Sequence, residues 1–159
     1  VKNSSYIEFK HDDIKLINDC LKKYSILSLR TKSYLNWRYN INYNEYKISR
    51  IYLNNKIIGL IVAKFYSKDK SICICEIFFK SNVRNNLRSI LESAVINFRR
   101  NKPRKIKIWS MPHFNFHKNL LSFGFKKTDF KTNVCTHKNL SENKRIKKMY
   151  LSMGDSDIY

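Results

Sequence analysis

The sequence is short of acidic residues and has no long apolar run. Its 12 Asp and Glu stand against 32 Lys and Arg, which gives a formal net charge of +20. That charge favours contact with phosphates, anionic membranes or an acidic protein, although a base-composition bias toward Lys, Asn and Ile would produce it without any partner. No apolar run approaches the ~18 residues of a membrane span, and no signal-peptide pattern is present. We therefore expect a cytoplasmic protein whose four cysteines are reduced, with no transmembrane segment.

Internal repeats and low-complexity linkers are absent as well. A length of 159 residues with 43% hydrophobic content suits one globular domain with a core of its own. We predict a single domain over residues 1–159. Because the sequence begins with Val1 rather than methionine, a fragment or the C-terminal half of a longer protein stays open.

Residue spacing predicts a mixture of helices and strands. Apolar residues recur with a helical period from Asp12 to Leu29, where Asp12 or Asp13 is the expected cap. Turn signals at Asn54-Asn55 and around Asp69 divide a β-branched stretch into three consecutive antiparallel strands. Helices are predicted at 12–29, 32–40, 83–101 and 116–125, and strands at 46–53, 56–66, 71–80, 104–110, near 126–137 and near 145–153. This order is typical of an α/β or α+β layer protein with a mixed sheet.

Three segments in this order resemble the GNAT (N-acetyltransferase) superfamily. They are RTKSYLNWRY at 30–39, NLLSFGF at 119–125 and MYLSMGDSDIY at 149–159. The first and last are similar to the LxWRY and Gly-Asp-Ser-Asp segments of a bacterial branch associated with surface-polysaccharide biosynthesis. The resemblance implies a central mixed, mostly antiparallel sheet of about six to seven strands, flanked by about four helices.

The resemblance also implies an activity. An acyl group would pass from coenzyme A, or from an acyl carrier protein, to an amino sugar or other small amine that attacks the thioester directly. The donor's pantetheine arm would pair with the strand at Ile74–Lys80, where Ile77, Phe78, Phe79 and Lys80 are the expected contacts. Acetyl-CoA or another acyl-CoA is the implied co-substrate, without a metal.

The family's phosphate-binding loop is altered here. Its Gly-rich pattern corresponds to KSNVRNNLRS, which contains no glycine. The resemblance leaves Lys80, Arg84 and Arg88 to supply positive charge, and Ser81 or Asn82 to cap the helix. Two consequences stay open: coenzyme A binds loosely, or the donor is an acidic acyl carrier protein that the +20 charge would attract.

Catalysis by such a fold needs a base and often an acid. Glu76 is the only carboxylate in the strand ICICEIFF, where relatives often carry their base, and an apolar strand should raise its pKa. The alternative is that Glu76 only pairs with a cation. In the family, a tyrosine serves as the general acid for the departing thiolate, and Leu120 occupies its position here. His117 or Tyr150 is therefore the candidate acid. Without the glycine loop and this tyrosine, a degenerate domain that keeps only the fold is a second hypothesis.

The stretch KSYLNWRYN at 32–40 is rich in aromatic residues. Our main interpretation is that Trp37 and Tyr34 pack the second helix on the sheet. Arg30 and Arg38 would then lie near the mouth where acceptor and donor meet. The acceptor-binding candidates are Arg30, Trp37, Arg38 and Asp155, with Asp157 in the same C-terminal segment. The alternative for Asp155 and Asp157 is a solvated tail.

Two other classes of site were weighed. Cys73 and Cys75, even with His113 and His117, lack the spacing of a zinc site, so we expect no metal. A nucleic-acid binder would combine this charge with exposed aromatic residues. Phe78, Phe98 and Phe125 follow core spacing instead, and no nucleic-acid-binding motif is recognisable. Nucleic acid is therefore a partner less favoured than an acyl donor.

Overall fold

A four-stranded mixed sheet forms the centre of the protein in a computed structural model. The structure describes residues 7–25, 28–40, 46–80, 84–112, 114, 116–129 and 149–155. The strands are β1 (Tyr46–Leu53), β2 (Lys56–Tyr66), β3 (Ser71–Phe79) and β4 (Lys105–Ile108), in the order β1-β2-β3-β4. The first two pairings are antiparallel, and β4 lies parallel to β3.

The predicted three-strand meander is confirmed, with bounds that differ only at the end of β3. Asn54 and Asn55 form its first turn with φ values of 49° and 60°, a left-handed conformation that asparagine tolerates better than most residues. The strand predicted at 104–110 is also confirmed, although β4 covers only Lys105–Ile108, and it pairs in parallel with β3. It needs a crossover connection, which a helix provides.

Four α-helices lie in the described residues: α1 (His11–Leu21), α2 (Lys32–Asn40), α3 (Arg84–Asn97) and α4 (His117–Ser122). The second, third and fourth agree with the predicted helices within a few residues. Leu87, Ile90 and Ala94 bury one face of α3. Gly124 follows α4 with a φ of 89°, as expected of a helix-ending glycine. No described helix is both long enough and apolar enough to cross a membrane.

The first helix is shorter than predicted. It ends at Leu21, and the N–H of Tyr24 donates to the carbonyl of Leu21 in a turn at 2.9 Å. The Tyr24 ring then contacts the ring of Phe114 at 5.7 Å, so its apolar spacing reflects burial and not a continuing helix. The predicted cap is wrong in position, because the N-cap residue is Lys10 and both Asp12 and Asp13 lie in the first turn. Asp13 stabilises the helix start from there, since its Oδ2 accepts from the Lys10 N–H at 2.7 Å.

The described sheet has four strands and not six to seven. The two further strands predicted near 126–137 and 145–153 fall mostly on 130–148, outside the described residues. Residues 126–129 are described and are not a strand, and Met153–Asp155 form a 3₁₀ turn. That turn carries the beginning of the Gly-Asp-Ser-Asp segment against β3.

Candidate active site between β3 and the C-terminal segment

The parallel pairing of β3 with β4 stops halfway along β3. Ser71 to Ile74 pair with Lys105 to Ile108, and β4 has no described pairing with the rest of β3. The N–H of Lys80 donates to the carbonyl of Ile58 in β2 at 3.0 Å. Because backbone groups alternate between the edges of a strand, Ile77 and Phe79 direct theirs toward the β4 side. The sheet is therefore split where the resemblance implies that a donor arm would bind.

A small cavity lies at this split. Its volume is about 30 Å³, and its walls include Cys20, Tyr24, Phe79, Phe116 and Tyr150. The Cys20 thiol donates to the carbonyl of Phe79 at 3.4 Å. Burial raises the pKa of this thiol to about 11, so Cys20 is protonated at neutral pH and is a poor nucleophile.

Glu76 lies in the core beside this cavity and is 1% exposed. Its Oε1 accepts from Arg30 Nε at 3.2 Å and from the Tyr39 hydroxyl at 3.0 Å. Its Oε2 accepts from the Tyr150 hydroxyl at 3.1 Å. The carboxylate thus joins β3 to α2, to the segment before α2 and to the C-terminal segment.

Arg30 connects Glu76 to a second carboxylate. Its Nη2 lies 3.1 Å from Glu76 Oε1 and 2.6 Å from Asp155 Oδ2. The same nitrogen donates to the Ser152 hydroxyl at 3.2 Å, and Nη1 donates to the carbonyl of Ser28 at 2.9 Å. The Ser152 N–H also donates to Asp155 Oδ2, at 2.9 Å. One buried guanidinium therefore holds both acids.

The two carboxylates have opposite pKa shifts. Burial raises the pKa of Glu76 above its ordinary value, and the charge of Arg30 opposes this only in part. Burial would also raise the pKa of Asp155, but the hydrogen bond and charge of Arg30 outweigh it and the pKa is lowered. Asp155 is therefore ionised at neutral pH, whereas Glu76 is the acid of the pair better suited to accept a proton.

The two tyrosines around Glu76 remain protonated. Burial, followed by the charge of Glu76, raises the pKa of Tyr39 and of Tyr150 well above the ordinary value. Both hydroxyls therefore act as donors to the carboxylate.

Gly154 packs directly against this cluster. A Cβ at this position would overlap the Tyr39 hydroxyl and lie 2.8 Å from Glu76 Oε1. Arg38 Nε donates to the carbonyl of Gly154 at 3.0 Å. The glycine of the Gly-Asp-Ser-Asp segment is thus required for close approach to β3, while Ser156 and Asp157 lie outside the described residues.

The catalytic candidates divide into two groups. Glu76 and Tyr150 are hydrogen-bonded to each other, as described above. His117 is the first residue of α4, and its Nδ1 lies 3.0 Å from the Ser110 hydroxyl. Among the described residues no hydrogen bond or ion pair joins it to Glu76, so the geometry brings Tyr150, and not His117, to the candidate base.

The predicted packing role of Trp37 is wrong. Its side chain is 61% exposed, whereas Leu35 and Tyr39 on the same helix are buried. Tyr34 is half-buried, and its ring centre lies 6.0 Å from that of Trp37. The helix packs through Leu35 and Tyr39, whose spacing of four residues makes one face, so Trp37 remains at the surface.

The expected donor-binding residues are described in part. Ile77 and Phe78 are buried, Phe79 is half-buried, and Phe78 stacks on Tyr150 at 5.7 Å. Lys80 is exposed. Arg88 Nε pairs with Glu92 at 2.9 Å. Arg84 begins α3, but its side chain, like Ser81 and Asn82, lies outside the description.

The features considered for other functions have ordinary surroundings. Cys73 and Cys75 are buried in β3, and His113 is not described. Among the described residues, no group of three or more His, Cys, Asp or Glu is placed to hold a metal ion. Phe78 and Phe98 are buried and Phe125 is half-buried, as their core spacing predicted.

Sequence reasoning missed Tyr39, Ser152 and Ser28 as members of this network. Tyr39 stands in the LNWRY stretch next to Arg38, and Ser152 stands three residues before Asp155. That spacing allows a hydroxyl and a carboxylate to meet within one turn. This spacing could have identified Ser152 as a member of the network, whereas no local sequence feature identifies Ser28.

Comparison with known proteins supports the fold. No protein-family model matches the sequence, and no curated protein matches it either. Solved structures do match. One is AAC(6′)-Iy in complex with the bisubstrate analogue CoA-S-monomethyl-acetylneamine, with a TM-score of 0.60 and 10% identity over 79% of this chain and 90% of that one.

Two further acetyltransferases are similar. A predicted acetyltransferase from Clostridium acetobutylicum with acetyl-CoA has a TM-score of 0.57 and 18% identity over 88% of this chain and 98% of that one. A ribosomal-protein-alanine N-acetyltransferase from Brucella melitensis biovar Abortus 2308 has a TM-score of 0.58 and 8% identity over 80% and 92%. At such identities the likeness shows the fold alone. The chain has a mixed α/β fold with a GNAT-like sheet.

Proposed function

We propose that the protein is an N-acyltransferase that moves an acyl group from coenzyme A to a small amine, such as an amino sugar of surface-polysaccharide biosynthesis. The observation that carries this proposal is the split between β3 and β4. It leaves the backbone groups of Ile77 and Phe79 directed into the gap, as an arm that pairs with a strand edge requires. Similar folds were solved with acetyl-CoA and with a CoA-containing analogue, which supports coenzyme A as the co-substrate.

The residues at the split suit coenzyme A as the donor. Bound coenzyme A would supply the acyl group as a thioester. Ile77 would hold the arm through its backbone N–H and carbonyl, and Phe79 through its N–H, since the Phe79 carbonyl already accepts from the Cys20 thiol. The exposed Lys80 is near enough in sequence to meet the phosphates of the donor.

Glu76 and Tyr150 would handle the proton. Tyr150 lines the cavity, and its hydroxyl donates to Glu76 Oε2. As the nitrogen of the neutral amine bonds to the acyl carbon and the carbon–sulfur bond breaks, coenzyme A would leave as the thiolate with the bonding electron pair. The amine proton would pass to the Tyr150 oxygen, and the Tyr150 proton would pass to Glu76. The raised pKa of Glu76 suits an acceptor that works near neutral pH.

A second candidate is a GNAT-like domain without this reaction. Glu76 is enclosed, and both of its oxygens already accept hydrogen bonds. Leu120, at the position of the family's tyrosine, is buried. In that case the network around Glu76 only holds the C-terminal segment on β3.

Two further alternatives concern the partner. One is a carrier-protein donor, which the net charge of +20 favours, and the other is a nucleic-acid partner.

The test is turnover of acetyl-CoA with a panel of amino sugars, followed by chromatography of the acylated product. Glu76→Gln should lower kcat about 10²- to 10⁴-fold, and Tyr150→Phe should lower it as well. Asp12→Asn, an exposed carboxylate on α1, is the control. Unchanged kcat in Glu76→Gln would remove Glu76 from the mechanism. Acetyl-CoA binding without any turnover of the wild type would favour the second candidate.

A further inference from the structure

A dense group of cations lies where β3 and β4 begin. Eight of the twelve residues in the segments 68–70 and 99–107 are Lys or Arg, compared with 32 of 159 in the whole chain. All eight are exposed. We call this surface the basic patch, and its members are Lys68, Lys70, Arg99, Arg100, Lys102, Arg104, Lys105 and Lys107.

Contacts between the two segments join them into one surface. The N–H of Arg104 donates to the carbonyl of Lys70 at 2.8 Å. The Nζ atoms of Lys105 and Lys107 lie 3.0 Å and 2.6 Å from Asp69 Oδ2. Asp69 is the only acid within the two segments, so it balances only a small part of their charge.

Two lysines of the patch hold an unusual backbone conformation. Lys70 and Lys102 each follow a 3₁₀ turn, with φ values of 52° and 50°. Asparagine adopts this left-handed conformation at a lower cost than lysine, and the chain uses Asn54 and Asn55 where its first hairpin needs it. A composition bias toward Lys and Asn would supply either residue. Lysine at both positions therefore points to a use for its side chain.

The surroundings of the patch indicate the kind of partner. Insertion into a membrane or burial in a stable protein interface would use exposed apolar side chains, and none of the large ones in the described residues belongs to these segments. Tyr66, beside the patch, is half-buried, and Lys107 Nζ lies 5.8 Å from its ring centre. This ring is not an open platform for an unpaired base. Exposed cations alone suit the phosphates of a duplex.

We propose that the basic patch binds the phosphate backbone of double-stranded nucleic acid without reading its sequence, and that Lys70 and Lys102 are among the contacts. The patch lies at the start of β3, whereas the split lies beyond Ile74. The nine residues of β3 extend over about 26 Å. This interaction is therefore separate from the proposed acyl transfer and would leave the split open.

The experiment measures the binding of a labelled DNA duplex to the full chain by fluorescence anisotropy at about 0.05 M and 0.2 M salt. The variant with Lys70→Asn and Lys102→Asn keeps the turns with a residue that tolerates them better, so its melting temperature should stay the same or rise. Its affinity at the lower salt should fall at least about tenfold, and its slope of log K against log salt should shrink by about 2.

The matched control carries Lys15→Gln and Lys56→Gln, which remove two exposed cations outside the patch. It should keep the wild-type salt slope. Equal losses of affinity in the two double variants would overturn the inference, because binding would then follow net charge alone. Wild-type protein that binds phosphatidylserine vesicles but not the duplex would overturn it in favour of an anionic membrane. Acetyl-CoA binding, which decides the proposed function separately, should be the same in the wild type and in both variants.

Discussion

Arg30 is the residue on which the candidate site depends most. It is buried and lies between the carboxylates of Glu76 and Asp155, so its loss would leave two acids in the core without a cation. Removing one partner of a buried ion pair typically costs about 3–5 kcal/mol. The network joins residues that are 46 and 125 positions apart in the sequence, and it therefore also fixes the C-terminal segment against β3.

Glu76 should make stability depend on pH. Its pKa is raised in the folded protein above an ordinary value of 4.5, so its contribution is fully present below that value and is lost as the pH rises through the folded pKa. We expect the melting temperature of the wild type to fall as the pH rises above 4.5, and Glu76→Gln to lack this decline. Thermal melts across the pH series measure both slopes.

The control for this prediction is Glu92→Gln, which should keep the wild-type slope because Glu92 is exposed. Asp155 does not interfere, since its pKa is lowered and its contribution is lost only as the pH falls below 3.8. Identical slopes for the wild type and Glu76→Gln would show that Glu76 ionises at its ordinary pKa.

For single residues, the sequence predicts the chemical character of a side chain better than it predicts the contacts of that side chain. Glu76 stands out as the only carboxylate of an apolar strand, and its raised pKa follows from that environment. The sequence predicts only that Glu76 pairs with some cation. It does not identify Arg30, because the packing of distant segments brings the two residues together. The prediction that Trp37 packs on the sheet is wrong, because residue spacing within one helix does not reveal which of its aromatic side chains contacts the sheet.

At the scale of elements, local turn chemistry sets the meander. The turn at Asn54-Asn55 joins β1 to β2 without a further residue, and its positive φ values match the type I′ geometry that suits a two-residue hairpin. The end of α1 could not be predicted in this way. Tyr24 keeps helical spacing while it leaves the helix to pack against Phe114, and periodicity does not distinguish these two causes of burial.

The turn yields a prediction about Asn55. Asn55→Gly should be neutral or stabilising, because glycine adopts a φ of 60° without a Cβ penalty. Asn55→Ala should lower the free energy of unfolding by about 1 kcal/mol. Urea denaturation of the two variants measures the difference. Equal stabilities would show that the turn does not hold this conformation in solution.

At the scale of the whole molecule, the fold and the charge favour different partners. The GNAT-like sheet supplies the split at which a strand-pairing arm can bind, while the net charge of +20 attracts polyanions of any kind. The mixed sheet and its four helices were predictable from the pattern of elements. The position of the split came from the resemblance, because no periodicity in the sequence shows where two paired strands separate.

The measurement that tests the account most directly is a thermal-shift and calorimetric titration with acetyl-CoA at about 0.05 M and 0.2 M salt, with a single-stranded oligonucleotide in parallel. A ligand that binds only the native state stabilises it by about 2.7 kcal/mol at a hundred times its Kd. The account predicts a saturable rise in melting temperature with acetyl-CoA that persists at the higher salt. Absence of acetyl-CoA binding, together with oligonucleotide binding that collapses with salt, would contradict it.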